Sequence, residues 1–254
     1  MNVRCLSALW ALPLTVLLLG ACANESESSS SDEATISPPR TSTGGTTNVD
    51  MTTDQEVRLA AIELGDCDFT DPAFEILVRQ RALLVEDDVQ LIESLDIHED
   101  VVSIEGIGCL LGLRNFHVSR PFEPAEQLDI TPLVETGIRL RSVKLNYGNF
   151  SGISILAELE LEHLEMRGVG LKDLSFLVAV SSIETLNIAG AKLASLQGTE
   201  SLVNLKRLDL GESLVTSLVP LAGASKLEWS TVKDAPLKNL DGLQDKQLLD
   251  GISI

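Results

Sequence analysis

Leu161-Glu-His-Leu-Glu-Met166, Ile183-Glu-Thr-Leu-Asn-Ile188 and Leu205-Lys-Arg-Leu-Asp-Leu210 follow one another at intervals of 22 residues. Each is aliphatic at its first, fourth and sixth positions and polar between them. Further aliphatic residues keep step: Leu171 and Leu174, Leu193 and Leu196, Val215 and Leu218. On the C-terminal side the core recurs as Leu227, Ser230 and Val232, then as Leu249, Ile252 and Ile254. On the N-terminal side it recurs as Leu140, Val143 and Leu145, as Leu113, Phe116 and Val118, and as Ile92, Leu95 and Ile97. The eight cores are spaced by 21, 27, 21, 22, 22, 22 and 22 residues. A unit this short cannot bury its own apolar face, so its stability lies in stacking on its neighbours. The alternation at the end of each core sends leucines inward and their neighbours outward, as in a short strand. Ile104-Glu-Gly-Ile-Gly-Cys-Leu110 and Leu218-Val-Pro-Leu-Ala-Gly223 are segments that return the chain over the opposite side.

This pattern resembles the leucine-rich repeat, in the 22-residue internalin-like variety of bacterial surfaces. The resemblance implies an α/β solenoid with about eight short parallel strands on its concave face. The repeats fill 92–254 and a helical N-terminal cap fills 51–91. In the cap, Asp71-Pro72 reads as an N-cap and a first helical residue. Phe74, Leu77, Val78, Leu84 and Val85 follow at helical spacing, and a second short helix is expected over 87–92. The sequence departs from the family at one place. Repeats of this kind carry Asn three residues after the strand, but here those slots hold Asp100, Pro121, Gly148, Val169, Ala191, Ser213 and Ala235. Other groups must satisfy the turn amides. The chain stops at the end of the eighth core, so a monomer with an uncapped C-terminal edge is expected.

The first 21 residues read as a leader: Arg4, then an apolar run from Cys5 to Leu19, shorter than a membrane span of about 20 residues. Leu19-Gly20-Ala21-Cys22 resembles the lipobox of bacterial lipoproteins. That resemblance implies Cys22 as the first mature residue and the site of lipidation. Ala23 in the next position implies outer-membrane rather than inner-membrane anchoring in the cell envelope. Residues 22–50 are acidic and Ser-rich without apolar periodicity, which suits a flexible tether of roughly 30 Å reach.

The chain has 38 acidic against 19 basic residues, a net charge of −19. Removing the leader takes away Arg4 only, giving 18 − 38 = −20. This balance argues against nucleic acid as a partner and against electrostatic docking on anionic lipid. No catalytic motif is present: no His-Glu-x-x-His, phosphate loop or Cys-x-x-Cys. Asp66-Cys-Asp68 opens like a calcium loop but has Asp71 and Leu77 where Gly and Glu belong. An enzyme is therefore not expected, nor any cofactor beyond the lipid on Cys22. Cys67 and Cys109 allow two readings, a disulfide tying the cap to the first repeat or two small buried thiols. His98, His117 and His163 fall in outward slots, where a weak zinc or copper site competes with an ordinary solvated face. No metal is assigned.

The outward slots form the candidate binding face. Four are cationic (Lys144, Arg167, Arg207, Lys233) and three acidic (Asp96, Glu165, Asp209), a net of +1 within a strongly acidic chain. Such a face suits a protein or peptide ligand; the competing reading is a structural envelope protein with a merely solvated face. The 27-residue interval carries an insertion within 119–128. Arg120, Phe122 and Tyr147 are expected to form one partner-contacting patch at this edge, with His117 and Lys144 beneath. Trp229, outward on the seventh strand, is the further aromatic anchor, and Arg207 and Asp209 are counted with it among the protein-binding residues. Two alternatives stay open: Phe122 folds back over the repeat, and Trp229 shields the C-terminal edge.

Overall fold

A computed structural model describes residues 51–65, 67–98, 101–120, 126–134, 137–244 and 246–253. Cys22, Phe122 and the leader and tether segments lie outside the described residues.

Two helices open the described chain, α1 (Met51–Ala61) and α2 (Pro72–Ala82). Ten strands follow: β1 (Ser94–Ile97), β2 (Asn115–Ser119), β3 (Leu128–Asp129), β4 (Ser142–Asn146), β5 (Phe150–Ser151), β6 (His163–Glu165), β7 (Thr185–Asn187), β8 (Arg207–Asp209), β9 (Trp229–Thr231) and β10 (Gly251–Ser253). Eight of them form one sheet in the order β1-β2-β4-β6-β7-β8-β9-β10. Every pairing in it is parallel. The 27-residue interval inserts β3, which pairs with β5 in a second, two-stranded sheet.

The sheet register reproduces the sequence period. Leu95, Phe116, Val143, Leu164, Leu186, Leu208, Ser230 and Ile252 pair in one column across the eight strands. From Leu95 to Leu208 this column is almost wholly buried. A second column (Ile97, Val118, Leu145, Met166, Ile188, Leu210, Val232) is equally buried beneath the strand ends. Single 3-10 turns such as Ile107–Cys109, Ser175–Leu177 and Val219–Gly223 carry the chain back opposite the sheet. The aliphatic core is thus one continuous stack. The fold is an α/β leucine-rich repeat solenoid.

The turns after the strands manage without the repeat's usual Asn. The residue two past the strand's last inward position adopts left-handed backbone in five successive repeats: Tyr147, Gly168, Gly190, Glu212 and Asp234. This conformation aims its N–H at the next repeat. Tyr147 N donates to Arg167 O, Gly168 N to Ala189 O, Gly190 N to Gly211 O, and Glu212 N to Lys233 O, at 2.8–3.1 Å. The parallel ladder therefore runs on past the strands. Asn187 and Asp209 supply local side-chain acceptors for Ala189 N (3.1 Å) and Gly211 N (3.0 Å). In the slots that lack Asn, the N–H groups of Ala191, Ser213 and Ala235 donate to carbonyls three residues back.

The cap is bound to the first repeat by several polar links and one covalent one. Asp71 caps α2 through Ala73 N (2.8 Å), while its second oxygen accepts from Val102 N (2.6 Å) and Ser103 N (3.1 Å). Burial alone would raise this carboxyl, but the backbone donors of Val102, Ser103, Ala73 and Phe74 hold it below the usual carboxylate value. Cys67 and Cys109 are joined by a disulfide with Cα atoms 5.3 Å apart. Arg79 ties the helices together, donating to the carbonyls of Leu59 (3.1 Å) and Ile62 (2.7 Å). The apolar periodicity read through Val85 outruns α2, which ends at Ala82 and leaves Leu84 74% exposed. Left-handed Glu86 and Asp87 turn the chain there. The second short helix is one 3-10 turn, Val89–Leu91, capped by Asp88.

Candidate protein-binding face

The strand alternation that buries the leucines turns three rows of side chains outward, and the acids and cations among them behave differently. Each of the three acids is engaged within the fold. Asp96 receives Arg81 Nη2 from α2 at 2.7 Å and lies 3.2 Å from His117 Nδ1. Glu165 accepts from Asn146 Nδ2 at 3.0 Å. Asp209 accepts from Gly211 N. All three are half-buried. Lys144, Arg167, Arg207 and Lys233 are exposed, and none has a side-chain partner among the described residues.

The engaged groups form a polar chain across four strands: Arg81, Asp96, His117, Asn146, Glu165. The carboxylate of Asp96 requires Nδ1 of His117 to donate, which leaves Nε2 to accept from Asn146 Nδ2 at 3.4 Å. The second Nδ2 hydrogen of Asn146 serves Glu165, and its Oδ1 accepts from Arg167 N at 3.1 Å. The strand alternation assigns Ser142 and Asn146 outward positions beside Lys144, yet Asn146 is only 8% exposed and Ser142 9%. The network draws Asn146 inward, and β4 is covered at both ends. His98 and His163 take no part in this chain. Among the described residues no group of three His, Cys, Asp or Glu gathers where it would hold a metal.

The expected patch at the insertion is not assembled from Arg120 and Tyr147. The Arg120 guanidinium is held by the carbonyls of Val101 and of Glu126 in its own loop. Val101 lies on the β1 side of the repeat. Tyr147 leans the other way, with its ring over Gly168, where a Cβ would meet Cδ1 at 2.4 Å. The two side chains diverge along the solenoid axis because each satisfies a neighbouring repeat. His117 is taken up in the polar chain, and Lys144 stands free beside it.

Trp229 is 48% exposed and pairs in register with Arg207 on one side and Gly251 on the other. Its six-membered ring lies over Gly251: a Cβ there would be 2.1, 2.4 and 2.8 Å from Cζ3, Cε3 and Cη2. Its Nε1 donates to Thr231 Oγ1 at 3.3 Å. One face of the indole therefore rests on bare backbone of the last strand. Arg207, Glu228 and Asp250 line a shallow cleft beside it. Sequence reading missed Asn146 as a hub, Arg81 as the cap's contribution, and Gly251 as the seat of Trp229. Of these only Gly251 left a signal, as a glycine in an outward slot beside a tryptophan.

No family model matches the chain, and no curated protein matches it. Solved structures do. An internalin (inlF) from Listeria monocytogenes superposes with a TM-score of 0.60 at 21% identity, covering 77% of this chain and 57% of that one. Internalin C2 (inlC2) of the same organism gives 0.55 at 20% identity, covering 77% of this chain and 96% of that one. The chain thus spans just over half the length of the first of these proteins. The parallel eight-stranded coil, its 22-residue register and these likenesses together show the internalin-like leucine-rich repeat fold.

Proposed function

We propose that this chain is a non-enzymatic binding protein of the bacterial cell envelope, whose strand face holds a protein or peptide partner. The observation that carries the reading is the division of labour on that face. Its acids are spent on internal bonds, while four cations stand free of them and a tryptophan stays half-exposed on one face. An exposed aromatic beside an unpaired Arg is the usual make-up of an interface hot spot. A regular open sheet face of about eight strands offers roughly 34 Å of contact across the strands. The leader and the lipobox-like Leu19-Gly20-Ala21-Cys22 support tethering through lipid on Cys22, and Ala23 supports the outer membrane. The absence of catalytic motifs from the sequence supports a non-enzymatic role.

The test is capture of envelope proteins by the wild-type chain and by a Trp229→Ala, Arg207→Glu double variant of unchanged melting temperature. The reading expects at least one protein retained by the wild type and lost from the double variant. Identical captured sets would refute it in favour of a structural protein with a solvated face.

A further inference from the structure

We infer that the partner presents an acidic peptide segment to this face. The inference rests on the binding-face reading above and adds the chemistry of the ligand. Lys144 on β4, Arg167 just after β6, Arg207 on β8 and Lys233 just after β9 are exposed and free of side-chain partners among the described residues. They span five adjacent strands of the sheet order β4-β6-β7-β8-β9. Four inter-strand steps cover about 19 Å, the reach of roughly six extended residues. Surface cations in this chain are scarce, 19 against 38 acids, and elsewhere several are neutralised by neighbours. Lys206 pairs with Glu184 at 2.8 Å and Arg141 lies 3.6 Å from Glu162.

From β4 to β9 on the strand face the pairing is withheld although partners are at hand. Lys144 stands in register with Glu165, yet Glu165 accepts from Asn146. Arg207 stands in register with Thr185 and Trp229 and shares a cleft with Glu228 and Asp250, yet bonds neither carboxylate. Asp209, two residues along the same strand, caps Gly211 N instead. Across β4 to β9 the fold therefore bonds its two acids, Glu165 and Asp209, to amide N–H groups and leaves four cations without a direct partner among the described residues. Carboxylates are what such charges bind, and the two arginines can do so bidentately. The net acidity of the remainder of the chain disfavours an anionic ligand there and so favours this face as its landing place. A nucleic acid fits less well, because half-buried Glu165 and Asp209 interrupt the cations and a backbone phosphate recurs too often to avoid them. An acidic peptide can place its carboxylates at intervals and its neutral residues between.

The experiment titrates the full chain in detergent with a fluorescent peptide of about ten residues alternating Glu and Gly, long enough to cross the five strands. A Lys/Gly peptide and an oligothymidylate of similar length are the comparisons. The expected result is binding of the acidic peptide alone, weakened at least tenfold between roughly 0.05 and 0.5 M salt. Lys144→Glu, Arg167→Glu, Arg207→Glu and Lys233→Glu are each expected to weaken it about threefold to tenfold. Lys172→Glu and Lys238→Glu, in return segments, are expected to leave it unchanged. Amide NMR shifts on titration are expected in β4 to β9. No binding of the acidic peptide, or equally tight binding of the basic peptide or the oligonucleotide, overturns the inference. Binding that is indifferent to the four reversals but still shifts β4 to β9 overturns the acidic chemistry while leaving the binding face. Shifts confined to other surfaces overturn both.

Discussion

Trp229 rests on Gly251: the indole of one strand covers the only outward position of the next strand that has no side chain to prop it away. An aromatic ring laid on bare backbone is both a shield for the last described strand and a rigid platform. Gly251→Ala puts a carbon 2.1 Å from Cζ3, so the ring must swing off. The expected result is a red-shifted emission from Trp229, more access to acrylamide, and a loss of stability of about 1 kcal/mol. Starting the chain at Cys22 makes Trp229 its only tryptophan, so the emission reports on this ring alone. Unchanged emission would mean that the ring does not sit on Gly251.

Leu186→Asp is expected to unfold the array, because Leu186 is fully buried and its column offers no partner for a charge. Asn187→Asp, one position along and facing outward, is expected to leave the array folded at a cost of about 1 kcal/mol, since it stands in register between Glu165 and Asp209. Ser230 occupies the leucine column of β9, fully buried, with its hydroxyl unpaired among the described residues. Ser230→Ala removes that unpaired group and is expected to stabilise by about 1 kcal/mol. Chemical denaturation of the three variants checks the register in both directions.

The register of Leu164, Leu186 and Leu208 was legible because their 22-residue spacing translates directly into cross-strand pairing. Even the anomalous Ser230 falls in the column the period assigns it. The behaviour of the outward residues was not legible in the same way. Periodicity says which face a side chain leaves from, but not where a long one goes. Arg120 leaves the strand end outward and then turns back to the carbonyl of Val101. Asn146 has an outward slot, yet it is buried because it can bond His117, Glu165 and Arg167 at once. The link from Arg81 to Asp96 joins the cap to the repeats, and no repeat period crosses that boundary.

The cap's attachment is expected to depend on pH through Asp71. Its folded-state pKa lies below the ordinary value, so its contribution is complete above the unfolded value of about 3.9. That contribution is lost as pH falls through the lowered folded value. Wild-type stability should therefore drop in the region below about pH 4. Asp71→Asn cannot accept from Ala73, Val102 and Ser103 together, since its Nδ2 would face N–H donors. It is expected to cost about 2 kcal/mol near neutrality and to flatten the acid slope, as read by denaturation across pH 2–7. A parallel acid slope in the variant would assign the titration to other carboxylates.

Membrane attachment is expected to hang on one thiol. On the proposed reading Cys22→Ser leaves the processed chain without lipid, and no described helix is long and apolar enough to cross a membrane. Fractionation should then move the variant from the membrane pellet to the soluble fraction. A variant that is shorn of its leader and still pellets would remove the lipid anchor from the proposal.

The turn ladder makes opposite forecasts for residues in one structural position. Glu212 and Gly168 both adopt left-handed backbone, with φ of 59° and 66°, and both send their N–H to the next repeat. An L side chain in that region costs about 1 kcal/mol, which glycine avoids, while glycine gives back part of the gain through a freer unfolded chain. Glu212→Gly is therefore expected to raise stability by a few tenths to about 1 kcal/mol without breaking the bond to Lys233 O. Gly168→Ala faces the same backbone cost together with the Tyr147 ring, whose Cδ1 lies 2.4 Å from the new Cβ. It is expected to lose about 2 kcal/mol or more and to displace Tyr147. Paired melting curves decide the matter: if both substitutions shift stability in the same direction, the left-handed turn is not what links the repeats.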